Sequence, residues 1–203
     1  MNDVEVVEEK GIYLPGDFIM IPWGLPIIEK SRQDFLNKLP VNSICAEIGV
    51  AQAGFSKKIL EFTNPKVFYA VDPWDTLYTN GSGLEKAKKD REIAQRVLSQ
   101  FNNVKIKIKT AKDCENVFLD EELDWLYLDA NHSEKNVLED LHSLYPKVKR
   151  NGILWGHDFC TTGDWRFGVV PAVFQFLRES NAILMGMTEY TGDEFPSFVL
   201  RKP

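Results

Sequence analysis

The stretch Glu47-Ile48-Gly49-Val50-Ala51-Gln52-Ala53-Gly54-Phe55-Ser56 follows an apolar run at Val41–Ile48. Glycines at a strand-to-helix turn let the backbone approach a ligand closely and aim helix N–H groups at it. Asp72 closes a second apolar run, Lys66–Val71. A carboxylate there can accept from both hydroxyls of a ribose. Together Gly54 and Asp72 point to an adenosine-containing ligand. Singly, Gly54 also reads as a packing glycine, and Asp72 as the start of a turn before Pro73. Glu47 narrows the ligand, because an acid beside the first glycine repels a pyrophosphate and suits a sulfonium or ammonium group.

Asp129 and Asp158 close two further runs, Leu123–Leu128 and Ile153–Trp155. Adjacent parallel strands lie about 4.8 Å apart, so groups at their ends can converge on one cation, and oxygen ligands suit Mg²⁺. The plainer alternative is that both acids shape a pocket and cap loops. His132 follows Asp129 by three residues, and a neutral imidazole there is a natural general base near pH 7. It could equally cap the helix beginning at Ser133, or pack beneath a ligand. His142 lies within that helix and reads as structural.

Two other signals carry less. Gly49-x-Ala51-x-x-Gly54 lacks the glycine that a dinucleotide fingerprint requires at Ala51. Tyr145-Pro146-Lys147-Val148-Lys149 spells a YxxxK pair, but Pro146 breaks the helix that such a pair needs. The run Lys86–Arg91 reads as a solvated helix face.

These residues need a scaffold that brings strand ends together. Strands are expected at Val41–Ile48, Lys66–Val71, Val104–Ile108, Leu123–Leu128, Ile153–Trp155, Ala182–Met187 and Phe195–Leu200. Helices are expected at Gly54–Phe62, Leu84–Leu98, Ser133–Tyr145 and Val170–Arg178, with Ser133 as an N-cap. The alternation implies an α/β fold: a doubly wound, mostly parallel seven-stranded sheet with helices on both faces. The last two strands form an antiparallel edge hairpin through Thr191-Gly192-Asp193. Ligands in such sheets sit beyond the carboxyl ends of the strands. Residues 1–30, rich in Pro and Gly, read as an irregular arm, and residues 41–203 as the core of a single domain. Trp23 and Trp165 fall in irregular segments and could line an acceptor site, whereas Trp74 and Trp155 read as core or pocket walls.

Composition bounds the function. The chain has 203 residues, 44% of them hydrophobic, enough for one domain with a sizeable core. Thirty acidic against 24 basic residues give a net charge of −6, which argues against a nucleic-acid or membrane partner. Cys45, Cys114 and Cys160 show no CxxC or metal spacing and read as reduced, buried thiols. The acidic N-terminus lacks the features of a signal peptide, and no stretch is long enough to span a membrane. The expectation is a cytoplasmic protein, and the aromatic arm could cover a second copy in a homodimer.

The blocks AEIGVAQAGFS, YAVDPW, LDWLYLDANHSEKNVLEDL and VKRNGILWGHDF stand in order over about residues 41 to 180. They resemble the class I S-adenosylmethionine-dependent methyltransferases, and within them the small-molecule, metal-dependent O-methyltransferase branch. The resemblance implies a Rossmann-like core with S-adenosyl-L-methionine as cofactor. Glu47, Gly49, Gly54 and Ser56 would form the cofactor loop, Asp72 would hold the ribose, and Thr110 and Ala111 would flank the adenine. Asp129 would border the cofactor. A divalent cation would be held by Asp129, Asp158 and a neighbour of the latter, here His157, whose imidazole favours Mn²⁺, Fe²⁺ or Zn²⁺ over Mg²⁺. His132 would take a proton from the acceptor hydroxyl. Ala53 and Asn151-Gly152 depart mildly from the pattern. The implied reaction is methyl transfer to an oxygen of a small molecule. The alternatives are a nonenzymatic cofactor-binding protein and, less well supported, a nicotinamide oxidoreductase.

Overall fold

The computed structural model describes residues 11–13, 19–22, 24–78, 80–162, 168–191 and 194–203. In chain order the elements are β1 (Gly11–Tyr13), β2 (Ile19–Pro22), β3 (Ile27–Glu29), α1 (Arg32–Leu36), β4 (Ile44–Ile48), α2 (Gly54–Thr63), β5 (Val67–Val71) and α3 (Gly81–Leu98). There follow β6 (Val104–Lys107), β7 (Leu123–Leu128), α4 (Glu134–Leu144), β8 (Val148–Gly156), β9 (Thr161–Thr162), α5 (Val169–Glu179), β10 (Ile183–Thr188) and β11 (Phe198–Arg201). The main sheet has the order β3-β10-β11-β8-β7-β4-β5-β6, and β1, β2 and β9 form a small separate sheet.

Central strands β4 and β7 are almost wholly buried, which accounts for their near-continuous apolar sequences. One core cluster includes Ile48, Leu126, Leu128, Val137, Leu141 and Phe174 on one face of the sheet. The other includes Cys45, Ile59, Phe68, Trp125, Tyr127 and Trp155, with Phe35 and Leu36 of α1. The free thiols Cys45, Cys114 and Cys160 are buried, as expected, and burial raises the pKa of each. No helix of the described residues is long and apolar enough to cross a membrane.

The expected strands form one sheet, joined by an eighth strand, β3, from the segment read as irregular. The C-terminal pair is antiparallel but is not the edge: β11 lies between β8 and β10, and β3 pairs in parallel with β10. Prolines hide this strand in the sequence, since Pro lacks the N–H donor of a ladder. Pro26 contributes only its carbonyl, which accepts the Met187 N–H at 3.0 Å. That approach needs Gly186, where a Cβ would stand 2.3 Å from the Pro26 oxygen. Gly192 and Asp193 of the expected turn lie outside the described residues. Strand β8 begins earlier than expected, and Asn151, at φ 64°, takes a left-handed conformation within it.

Register places the site. Ile48 is paired with Val71 on one side and Leu128 on the other, and Leu128 is paired with Gly156. The next residues, Gly49, Asp72, Asp129 and His157-Asp158, therefore emerge together at the carboxyl edge of the sheet.

Candidate active site

A cavity of about 570 Å³ opens at this edge, within the size range of small-molecule sites. Its lining includes Gly49, Ala51, Asp72, Thr110, Ala111 and Asp129.

The loop after β4 is shaped by backbone constraints. Gly49 has φ 93°, and a Cβ there would lie 1.8 Å from the carbonyl oxygen of Asp129. No other residue fits. Ala51 and Ala53 also adopt left-handed conformations, at φ 48° and 62°, which suit glycine better. Gly54 opens α2, and a Cβ there would meet nothing within 4 Å. Asp72 fixes this loop: its Oδ2 accepts the Val50 and Ala51 N–H groups at 2.9 Å each, and its Oδ1 accepts the Trp74 N–H at 2.7 Å. Trp74, read as a wall, also donates its indole N–H to the Ala51 carbonyl at 2.8 Å.

Glu47 stands differently from its expected part. It is 1% exposed and absent from the cavity lining, and it accepts a hydrogen bond from the buried Ser56 hydroxyl. Burial pushes its carboxyl up to about 8, against the effect of Ser56. Glu47, expected to face a cationic ligand from the cofactor loop, instead forms a buried pair with Ser56 beneath that loop, because β4 turns this side chain toward α2. Thr110 and Ala111 line the cavity from the far side, and the Thr110 N–H and hydroxyl donate to Asp113 at 3.1 and 2.7 Å.

Next to the cavity, charged groups converge on Asp129, the one acid of the cluster that lines it. His132 Nε2 lies 2.8 Å from Asp158 Oδ2 and 3.6 Å from Asp129 Oδ1. Burial would lower the His132 pKa, but hydrogen bonds with Asp129 and Asp158 prevail and raise it to about 9. Without a cation the two acids thus favour a proton on the ring, against the neutral imidazole expected. Burial would raise Asp158, but His132 and His157 hold it well below the usual carboxylate range. Ser133 occupies the N-cap position of α4 without a side-chain cap bond, and Asn131 Oδ1 accepts the Ser133 N–H instead.

The donor set fits a cation. Among the described residues, Asp129, His132 and Asp158 each offer a ligand atom, all within 4.8 Å of one another. His157, expected in that set, is not in this group. Its Nδ1 is turned to Asp158 Oδ1 at 2.9 Å, and its Nε2 is buried with no hydrogen-bond partner among the described residues. The D-x-x-H spacing at the start of α4 swings His132 into the place expected of His157.

Arg32 is a site residue that the sequence reading does not find. Its Nη1 donates to Tyr127 Oη at 2.9 Å and to Asp129 Oδ2 at 3.2 Å, its Nε to Glu194 at 2.5 Å, and it lies over the Phe55 ring. The available signal is local: Ser31 is the N-cap that starts α1, its Oγ accepting the Asp34 N–H at 3.1 Å. Trp23 and Trp165 lie outside the described residues.

Comparison with known proteins agrees with this geometry. A family model described as a methyltransferase domain matches residues 47–159, a stretch that includes both Glu47 and Asp158. No protein with a curated description matches the chain in sequence. The fold is similar to that of the N-methyltransferase NodS of Bradyrhizobium japonicum, with TM-score 0.58, 12% identity, and coverage of 85% of this chain and 94% of that one. It is also similar to an O-methyltransferase family protein of Burkholderia thailandensis, with TM-score 0.59, 11% identity, and coverage of 84% and 55%. The methyltransferase CalH, solved with S-adenosylhomocysteine, gives TM-score 0.59 at 11% identity over 84% of this chain and 55% of that one. With its strand-end acids and glycine loop inside the matched segment, the chain belongs to this methyltransferase domain family and is a class I S-adenosylmethionine-dependent methyltransferase.

Proposed function

We propose that the protein transfers the methyl group of S-adenosylmethionine to an oxygen of a small-molecule acceptor, with a divalent cation bound beside the cofactor. The observation that carries this reading is the convergence of His132 and Asp158 on Asp129, the acid that lines the cavity. In this reading the nucleoside lies against Gly49 and Ala51, with its ribose at Asp72 and its adenine between Pro73 and Thr110-Ala111. Gly54 opens the helix behind the loop, and the Glu47–Ser56 pair supports that loop from beneath. Asp129 separates the cofactor from the acceptor.

Methyl transfer is an in-line displacement, so most of the protein's part is to hold donor sulfur and acceptor oxygen in line. A cation held by Asp129, His132 and Asp158 would lower the pKa of an acceptor hydroxyl. His132 is then a ligand, which replaces its expected role as a free base, and His157 orients Asp158. Arg32 balances the charge of Asp129 from the acceptor side. A net charge of −6 favours a small acceptor over a nucleic acid, and the buried thiols suit the cytoplasm.

The test is transfer of labelled methyl groups to a panel of vicinal diols, phenols and amines, before and after exhaustive chelation. The expected result is transfer to a hydroxyl, lost on chelation and restored by Mg²⁺ or Mn²⁺. Transfer to amines alone, or transfer undiminished by chelation, contradicts the reading.

A further inference from the structure

One wall of the cavity carries polar groups that neither the fold nor the charge cluster uses. Asn136, Glu139 and Asp140 lie on α4 at spacings that place them on one face, and all line the cavity. Glu139 is exposed and approaches Lys135 at 3.9 Å. Asp140 is 7% exposed, and among the described residues its carboxyl has no hydrogen-bond or ion-pair partner. The Asn136 amide likewise has none.

The Asp140 oxygens are not among the sealed-off, partnerless atoms of the interior: they face the cavity, where a ligand can replace solvent as their partner. The position of the residue indicates which part of the ligand does so. Asp140 is six residues beyond the start of α4, about 9 Å along the helix axis, away from the His132 end. It stands by Cys114, in the 3₁₀ turn Lys112–Asn116 that follows Thr110-Ala111 and packs on α4.

We propose that Asp140 reads the Watson–Crick edge of the cofactor's adenine, as a neutral carboxylic acid whose carbonyl accepts from the 6-amino group and whose hydroxyl donates to N1. This rests on the nucleoside placement proposed above. Burial pushes the Asp140 carboxyl up to about 7, with Glu139 adding to the shift, so the proton that this pairing needs is available near neutrality. A side-chain amide has the same donor–acceptor pattern, so Asn at this position should preserve the pairing. An apolar side chain of similar volume cannot.

The experiment is calorimetric titration of wild type, Asp140→Asn and Asp140→Leu with S-adenosylhomocysteine and with its analogue lacking the 6-amino group, with a thermal melt of each free protein. Wild type and Asp140→Asn should bind S-adenosylhomocysteine within threefold of each other and the analogue at least tenfold more weakly. Asp140→Leu should melt no lower than wild type, lose at least tenfold for S-adenosylhomocysteine, and bind the two ligands alike. Asp140→Leu binding S-adenosylhomocysteine within threefold of wild type, or Asp140→Asn losing as much as Asp140→Leu, would overturn the proposal. A wild-type chain that binds neither ligand would instead overturn the nucleoside placement itself.

Discussion

The two ends of the cavity are built on different physics. At the Gly49 end the shape is made by backbone, and Asp72 holds it by accepting N–H groups from Val50, Ala51 and Trp74. At the Asp129 end the shape is made by charged side chains drawn from across the chain, with Arg32 and Glu194 joined over 162 residues of sequence. The first arrangement fixes a site before any ligand arrives. The second is a balance of charges that a cation, a proton or a substituted residue can shift. A methyltransferase has use for both, because the donor is always the same molecule, whereas the acceptor must be held in line with the donor sulfur during the reaction.

The contrast can be broken most severely at Gly49. Gly49→Ala forces a methyl into the Asp129 carbonyl and should cost about 4 kcal/mol or more in urea unfolding, with cofactor binding lost. Asp72→Ala frees the loop amides and should cost about 3 kcal/mol, with S-adenosylhomocysteine affinity in calorimetry falling along with it.

A pH titration sharpens the comparison by probing a buried group on the cavity wall. Asp140 has a folded value of about 7, raised by burial, above its unfolded value. The native state therefore holds an extra proton between about pH 4 and 7, and stability must fall as pH rises through that window. Buried Glu47, at about 8, acts with the same sign. Chemical denaturation across this range should show the decline, and Asp140→Asn should reduce its slope and exceed wild type in stability at pH 8 by about 2 kcal/mol.

Smaller effects follow at exposed or partly exposed positions. Arg32→Met removes the countercharge of the partly exposed Asp129 and should cost about 1 kcal/mol, while tightening Mn²⁺ binding measured by titration. Ala51→Gly relieves an exposed left-handed residue and should raise stability by about 0.5–1 kcal/mol, seen as a higher melting temperature.

Most of the backbone-built end is legible in the sequence. A glycine after an apolar run and an acid after the next are local signals, and parallel register turns them into neighbours. Glu47 is less legible, because a strand position does not by itself say which face a side chain takes. Here β4 alternation turns it to Ser56. The charged end is half legible. Asp129, His132 and Asp158 are visible as strand-end residues, but the choice between His132 and His157 depends on how α4 leaves β7. Arg32 cannot be linked to Asp129 from spacing alone, since β3 and α1 reach the site only through pairing of β3 with β10, and Pro22 and Pro26 mask that strand.

The backbone-built end should hold the nucleoside of S-adenosylmethionine independently of the charge cluster. Calorimetric titration with S-adenosylhomocysteine, run on wild type and Asp158→Ala after chelation, tests it most directly. Saturable one-to-one binding to both is expected, with affinities within about threefold. No binding to wild type, or binding that vanishes with Asp158, would contradict it.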